Sequence, residues 1–145
     1  MKTPAIRWML ALFAAGLFFT SFGPGCSRSI SPEEKASLYI SDDAFNARVY
    51  NDSHPVLLNF TASWCPPCQA MAPTLDDIAQ NRSGLISVMK IDVDVNPHLA
   101  QRFKISGVPT YYIYRDGEAL AALSGARTKD DFIAWIENTL IGKDS

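Results

Sequence analysis

The pentapeptide Trp64-Cys65-Pro66-Pro67-Cys68 puts two thiols three positions apart. If Cys65 ends a strand-to-helix loop and Cys68 lies one turn into the helix, the two sulfurs come within bonding range. A helix N-terminus offers unpaired N–H groups and a partial positive charge, which stabilise a thiolate and lower its pKa. Cys65 is therefore expected to be the exposed nucleophile, and Cys68 the resolving thiol that breaks a mixed disulfide. Pro66 and Pro67 stiffen the turn and remove two N–H donors, leaving the Cys68 amide as the obvious donor to the Cys65 sulfur. The expected chemistry is dithiol–disulfide exchange. Its electrons reside in the two thiols, so no bound cofactor is expected. A zinc site would want about four ligands. The other candidates are Cys26 and the scattered His54 and His98, so no metal is expected.

The elements that must position this pair alternate in type. Ser41-Asp42-Asp43 reads as a cap and acidic first turn of a helix running to Tyr50. Residues 56–60 form a short apolar run suited to a strand buried on both faces. The spacing of Met71, Leu75, Ile78 and Ala79 predicts one buried face of a helix over 65–82, kinked at Pro73, with Gly84 placed to end it. Residues 85–93 read as a second central strand. Asn96-Pro97 opens a short helix, with Asn as its cap. Residues 110–114 and 118–123 form a hairpin around Asp116-Gly117. Thr128 caps a last amphipathic helix through Phe132, Trp135, Ile136 and Leu140. This order implies an α/β domain over 38–145 in which a mixed sheet is covered on both faces. Asp92-Val93-Asp94-Val95-Asn96 opens like a calcium loop, but Pro97 stands where Gly is needed and Phe103 where Glu is needed. It reads as a strand end and a helix cap. The pairs Asp42-Asp43, Asp76-Asp77 and Asp130-Asp131 read as solvated surface.

Charge is unevenly distributed. All 15 acids lie beyond Cys26, while Lys2 and Arg7 lie before it, so 11 − 15 = −4 remains on the rest of the chain. Nucleic acid is therefore not an expected partner. Lys2 and Arg7 flank the start of an apolar run from Trp8 to Phe19, and no charge returns until Arg28. That pattern describes an export signal over 1–26. Ser21-Phe22-Gly23-Pro24-Gly25-Cys26 loosely resembles a bacterial lipoprotein signal, in which the Cys becomes the lipidated first residue. Lipidation at Cys26, an uncleaved membrane anchor and simple cleavage all remain open. Each places the domain outside the cytoplasm, in the periplasm or cell envelope, and two tether it to the membrane. Residues 27–37 read as a linker.

Beyond the cysteine motif, Pro73, Gly107-Val108-Pro109-Thr110, Asp116-Gly117 and Gly125 occur in order, and residues 39–142 resemble thioredoxin. The resemblance implies a thioredoxin fold, with a central mixed sheet and helices on both faces, and exchange at Cys65 and Cys68. It also implies a cis Pro109 facing the dithiol, Val108 offering its backbone to an extended peptide, and Trp64 lining the substrate surface. Pro66 stands at a known tuning position, where common cytoplasmic thioredoxins carry Gly. Asn59 occupies the place of a usual buried Asp, while Lys90 matches the lysine that pairs with it. Asn cannot serve as a general base. A Lys90 lacking its carboxylate would favour the thiolate and a more oxidising couple. The implied partners are proteins bearing disulfides or thiols, and a membrane thiol–disulfide electron donor. Tethered thioredoxins of this size resemble those that keep particular exported proteins reduced, so reduction is the first expectation. An oxidase or isomerase, and a non-catalytic binding or chaperone module, are the alternatives.

Overall fold

Side-chain caps set where the helices of this chain begin, as seen in a computed structural model that describes residues 38–142. The Ser41 hydroxyl accepts from the Ala44 amide and starts α1 (Asp42–Asn51), with Asp42 and Asp43 in its positive first turn. The chain continues as β1 (Val56–Thr61), α2 (Pro66–Asn81), β2 (Ser87–Asp92), α3 (Pro97–Arg102), β3 (Thr110–Arg115), β4 (Glu118–Ser124) and α4 (Lys129–Ile141). Thr128 caps α4 by accepting from the Asp131 amide. The expected signal segment 1–26, with Cys26, and the expected 27–37 linker lie outside the described residues.

The sheet has the order β2-β1-β3-β4. β1 and β2 run parallel because α2 crosses between them, whereas β3 lies antiparallel to both β1 and β4. The β3–β4 hairpin turns through Asp116 and Gly117, both at positive φ (54° and 79°), as a primed two-residue turn requires.

Alternation along β1 divides the core. Val56, Leu58 and Phe60 pack with Phe45 and Val49 of α1 and Leu99 of α3. Leu57 points the other way, into a layer with Met71, Leu75 and Ile78 of α2, Tyr111 and Ile113 of β3, and Phe132, Ile136 and Leu140 of α4. Helices thus cover both faces of a mixed sheet, the thioredoxin arrangement expected from the sequence.

Three local expectations are corrected. Among the described residues β2 is an edge strand, not a central one, and most of it is only half-buried. Its pairing starts where the Ser87 amide donates to Pro55 O, so Leu85 stays outside the strand at 41% exposure and the neighbouring Ile86 takes the buried place. Ala79 is exposed. The inward stripe of α2 is only as wide as Met71, Leu75 and Ile78, and Ala79 lies past its edge.

Candidate active site

The turn after β1 closes when the Cys65 amide donates to Ala62 O at 3.2 Å. Pro66 and Pro67 then take the first two positions of α2, where missing N–H groups leave no intrahelical bond unmade. Cys65 is the N-cap, and the Cys68 amide donates to its Sγ at 3.3 Å, the donor that the two prolines leave available. The two sulfurs form a disulfide, with the Cα atoms 5.3 Å apart. Cys65 is not exposed in this oxidised form. It is 3% accessible and Cys68 is 5%, because the Cys65 sulfur turns inward to its partner and packs with Ala62, Val93 and Val108.

The second wall of the site is the loop before β3. The Val108–Pro109 peptide bond is cis, and Val108 O lies 3.6 Å from Cys65 Sγ. Pro109 is buried, and two hydrogen bonds hold its loop: Gly125 N donates to Pro109 O at 2.8 Å, and Thr110 Oγ1 donates to Gly107 O at 2.8 Å.

Trp64 stands out from this surface at 65% exposure, and its indole Nε1 donates to Asp94 Oδ2 at 2.7 Å. Asp94 is a site residue that the sequence reading missed. The Asp92 carboxylate accepts from the Asp94 and Val95 amides, at 2.9 and 3.2 Å, and so shapes the turn that presents Asp94 to Trp64. The available signal was a polar turn after a strand parallel to β1, hence at the same end of the sheet as the cysteines. Trp64, Val93, Pro97, Ala100, Ile105 and Val108 line an apolar cleft of about 310 Å³, together with Ser106 and Gly107. The cleft reaches the disulfide through Val108, whose carbonyl lies beside Cys65 Sγ, and its apolar lining suits a largely apolar ligand.

Asn59 and Lys90 are register partners across β1 and β2, yet their side chains part. Lys90 Nζ pairs with Asp76 of α2 at 2.6 Å, both groups being substantially exposed. The lysine therefore has a carboxylate, from a pair read as solvated surface, and its charge is turned to that surface and not left unpaired for a thiolate. Asp77, the other member, is held by Lys129 and Asn81. Asn59 is 3% exposed, and its Oδ1 has no hydrogen-bond partner. Its β3 partner Tyr111 is fully buried, and its hydroxyl is likewise unpartnered. Burial pushes the Tyr111 phenol up to about 12, partly opposed by Arg127, so it is a neutral hydroxyl at physiological pH.

Asn96, expected as the cap of α3, makes no cap bond, and its side chain turns back to the start of the domain. His98 Nε2 donates to Ile40 O at 3.0 Å, and His54 lies at the opposite end of β1 beside Asp52. Among the described residues no group of three or more His, Cys, Asp or Glu could hold a metal ion, and no helix is long and apolar enough to cross a membrane.

Comparison with known proteins agrees with this geometry. The family model for thioredoxin matches residues 36–138. The chain is 36% identical to a thioredoxin of Mycolicibacterium smegmatis over 110 residues, which covers 74% of this chain and 98% of that protein. It is 37% identical to a thioredoxin of Acidithiobacillus ferridurans over 105 residues, covering 72% and 97% respectively. A bifunctional thioredoxin reductase/thioredoxin of Mycobacterium leprae is 36% identical over 93 residues, which is 64% of this chain but 20% of that longer protein.

Proposed function

From the premise that this chain belongs to the thioredoxin family of thiol–disulfide oxidoreductases, we propose that it reduces disulfides of exported proteins while held at the cell envelope. The observation that carries the proposal is the Cys65–Cys68 disulfide at the start of α2, with the Cys68 amide on Cys65 Sγ and Val108 O beside it. In the reduced protein, the Cys65 thiolate attacks one sulfur of a client disulfide. A bond forms between Cys65 and that sulfur, and the other client sulfur leaves as a thiolate and takes a proton. Cys68 then loses its proton and attacks Cys65 Sγ, closing the ring and releasing the second client thiolate. Two electrons pass from the protein to the client, and a membrane thiol–disulfide donor restores them.

Trp64, Val108 and Pro109 receive the client. The cleft supplies apolar contact, and Val108 supplies backbone hydrogen-bonding groups next to the reacting sulfur. Pro66 and Pro67 restrict the donors facing Cys65 and so tune the couple. The basic-then-apolar pattern of the first 26 residues supports export, and Cys26 is the proposed point of lipidation.

The test is the reduction potential of the full chain, equilibrated with glutathione or dithiothreitol buffers. A value near roughly −270 mV is expected of a reductant. A value toward roughly −120 mV would reverse the direction and make the protein a donor of disulfides.

A further inference from the structure

The end of α3 is closed by two backbone bonds beyond its last turn. The Lys104 amide donates to Gln101 O at 3.0 Å, and the Ile105 amide donates to Ala100 O at 2.9 Å. This closure calls for a left-handed residue just after the helix cap, and glycine is the usual choice there. The residue in this chain is Lys104, at φ 51°. A side chain in that conformation brings Cβ against the following carbonyl, a cost that glycine does not carry. Backbone strain of this kind gathers at functional sites. A cation at a helix end also suits the negative end of the dipole, but Arg102 in the last turn already supplies one. The dipole therefore does not account for a lysine at the strained position.

Two further observations bear on what the lysine does. Lys104 is exposed at the point where the chain leaves α3 and enters the wall of the cleft. Ala100 before it and Ile105 to Val108 after it all line that cleft. Its charge is also uncommitted. Arg48, Arg82, Lys90, Arg102 and Lys129 each meet a carboxylate, Arg127 donates to a carbonyl, and Arg115 is engaged as well. Among the described residues, Lys104 is the one lysine or arginine whose side chain has no such partner. The acid beside the cleft, Asp94, stands on its Trp64 side and accepts from the indole.

We infer that Lys104 is a specificity-determining residue of the cleft, held in a strained left-handed conformation so that its ammonium receives an acidic residue of the bound client. The client segment is then apolar where it lies in the cleft and carries an Asp or Glu to one side of its reacting cysteine. The inference rests on the reading of Cys65 and Cys68 as an exchange pair with the cleft as its client site. Charge complementarity selects this occupant. Residues 38–142 carry 8 lysines and arginines against 12 aspartates and glutamates, so 8 − 12 = −4. The domain as a whole repels an acidic segment, and a preference for one has to come from a local cation that no protein carboxylate already holds. Lysine suits the task, because its ammonium is a compact charge on a flexible stem that reaches a carboxylate without fixed geometry.

The test reads the second-order rate at which the reduced full chain consumes short apolar peptides, each with a single cysteine disulfide-bonded to thionitrobenzoate. Glu, Gln or Lys is placed at every other position in turn. Cys65 Sγ bonds to the peptide sulfur, the bond from that sulfur to thionitrobenzoate breaks, and the coloured thionitrobenzoate leaves as a thiolate. Cys68 then closes on Cys65 and releases the peptide thiol. At the best position the Glu peptide should react about threefold faster than the Gln peptide, the effect of one exposed charge pair. That advantage should vanish in about 1 M salt, where the screening length falls to about 3 Å. Lys104→Gln should bring the ratio to about one, and Lys104→Glu should reverse it in favour of the Lys peptide. Lys104→Gly should lose the ratio too and melt a few degrees higher, because glycine takes this backbone without strain. A ratio of about one at every position in the unaltered chain, a ratio that survives Lys104→Gln, or a Gly variant that melts no higher would overturn the proposal. A failed reductant reading would show instead in the potential, with these rate ratios as expected here.

Discussion

Asn96 fastens the beginning of the domain to α3: its Oδ1 accepts from the Ile40 amide at 2.7 Å, across 56 residues of sequence. Its Nδ2 donates to Leu38 O and Asp92 O, both at 3.1 Å, so one fully buried amide joins the entering chain, the end of β2 and the start of α3. Replacement by Ala takes the side-chain partner from the Ile40 amide and Leu38 O, while Asp92 O keeps the Asn96 backbone amide at 2.9 Å. Asn96→Ala should cost about 2–3 kcal/mol in urea unfolding. The Ile40 amide should lose its protection from hydrogen exchange, while the amides of β1 keep theirs against local opening.

The order of sulfur reactivity gives the second prediction. Cys68→Ser should accumulate a mixed disulfide between Cys65 and a disulfide-bearing client such as insulin, visible on a non-reducing gel. Cys65→Ser should accumulate none. Both variants should lose essentially all dithiothreitol-driven insulin reduction. Equal trapping by the two would mean that the cysteines have been assigned to the wrong steps.

Trp64 is exposed but not loose, because Asp94 orients its indole. Asp94→Ala removes that acceptor without touching either sulfur or the core. We expect kcat/KM for insulin reduction to fall about fivefold to tenfold, the effect of one modest hydrogen bond. Stability should change by under about 1 kcal/mol, as for other surface substitutions. An unchanged kcat/KM would mean that the indole's position does not matter for docking.

Asp52 carries a pH dependence. Burial opposes its ionisation, but the His54 amide, Ser87 and Arg48 outweigh that and hold its carboxyl below the usual carboxylate range. The folded pKa is below the unfolded one, so the contribution is complete above the unfolded value of about 3.9 and disappears as pH falls through the folded value. Asp52→Asn should therefore destabilise the chain by about 1 kcal/mol at pH 7. The gap between the two proteins should close in acid, as pH falls through the lowered folded value. A gap that persists there would assign the effect to packing instead.

Where sequence and structure agree, the information is local. The caps Ser41 and Thr128, the Asp116-Gly117 turn, the prolines at the start of α2 and the Cys68 amide on Cys65 all follow from residue type and spacing within a few positions. The departures come from residues brought together by the sheet. Asn96 matched a cap motif, but burial against residues 38–40 offered its amide three better partners. Asp94 matched a strand end before a helix cap and Asp76 a solvated surface, and only strand order shows that one faces an indole and the other a lysine. The low exposure of Cys65 was hidden for a different reason. The Cys65 sulfur faces its disulfide partner and packs with Ala62, Val93 and Val108, contacts that residue type alone does not encode.

The strict alternation of β1 has one more consequence, and it concerns misfolding. If β1 slipped by one residue against its neighbours, Leu58 and Phe60 would leave the aromatic layer of Phe45 and Phe103, and Leu57 and Asn59 would enter it. The slipped pairing exchanges the Phe60 ring, which packs on Phe103 and Tyr112, for an amide at the centre of that layer. The Cys65–Cys68 ring spans only three positions and closes equally well over either pairing, so it cannot tell a correct sheet from a shifted one. Asn59 can, and it marks the correct register in the middle of an otherwise greasy strand.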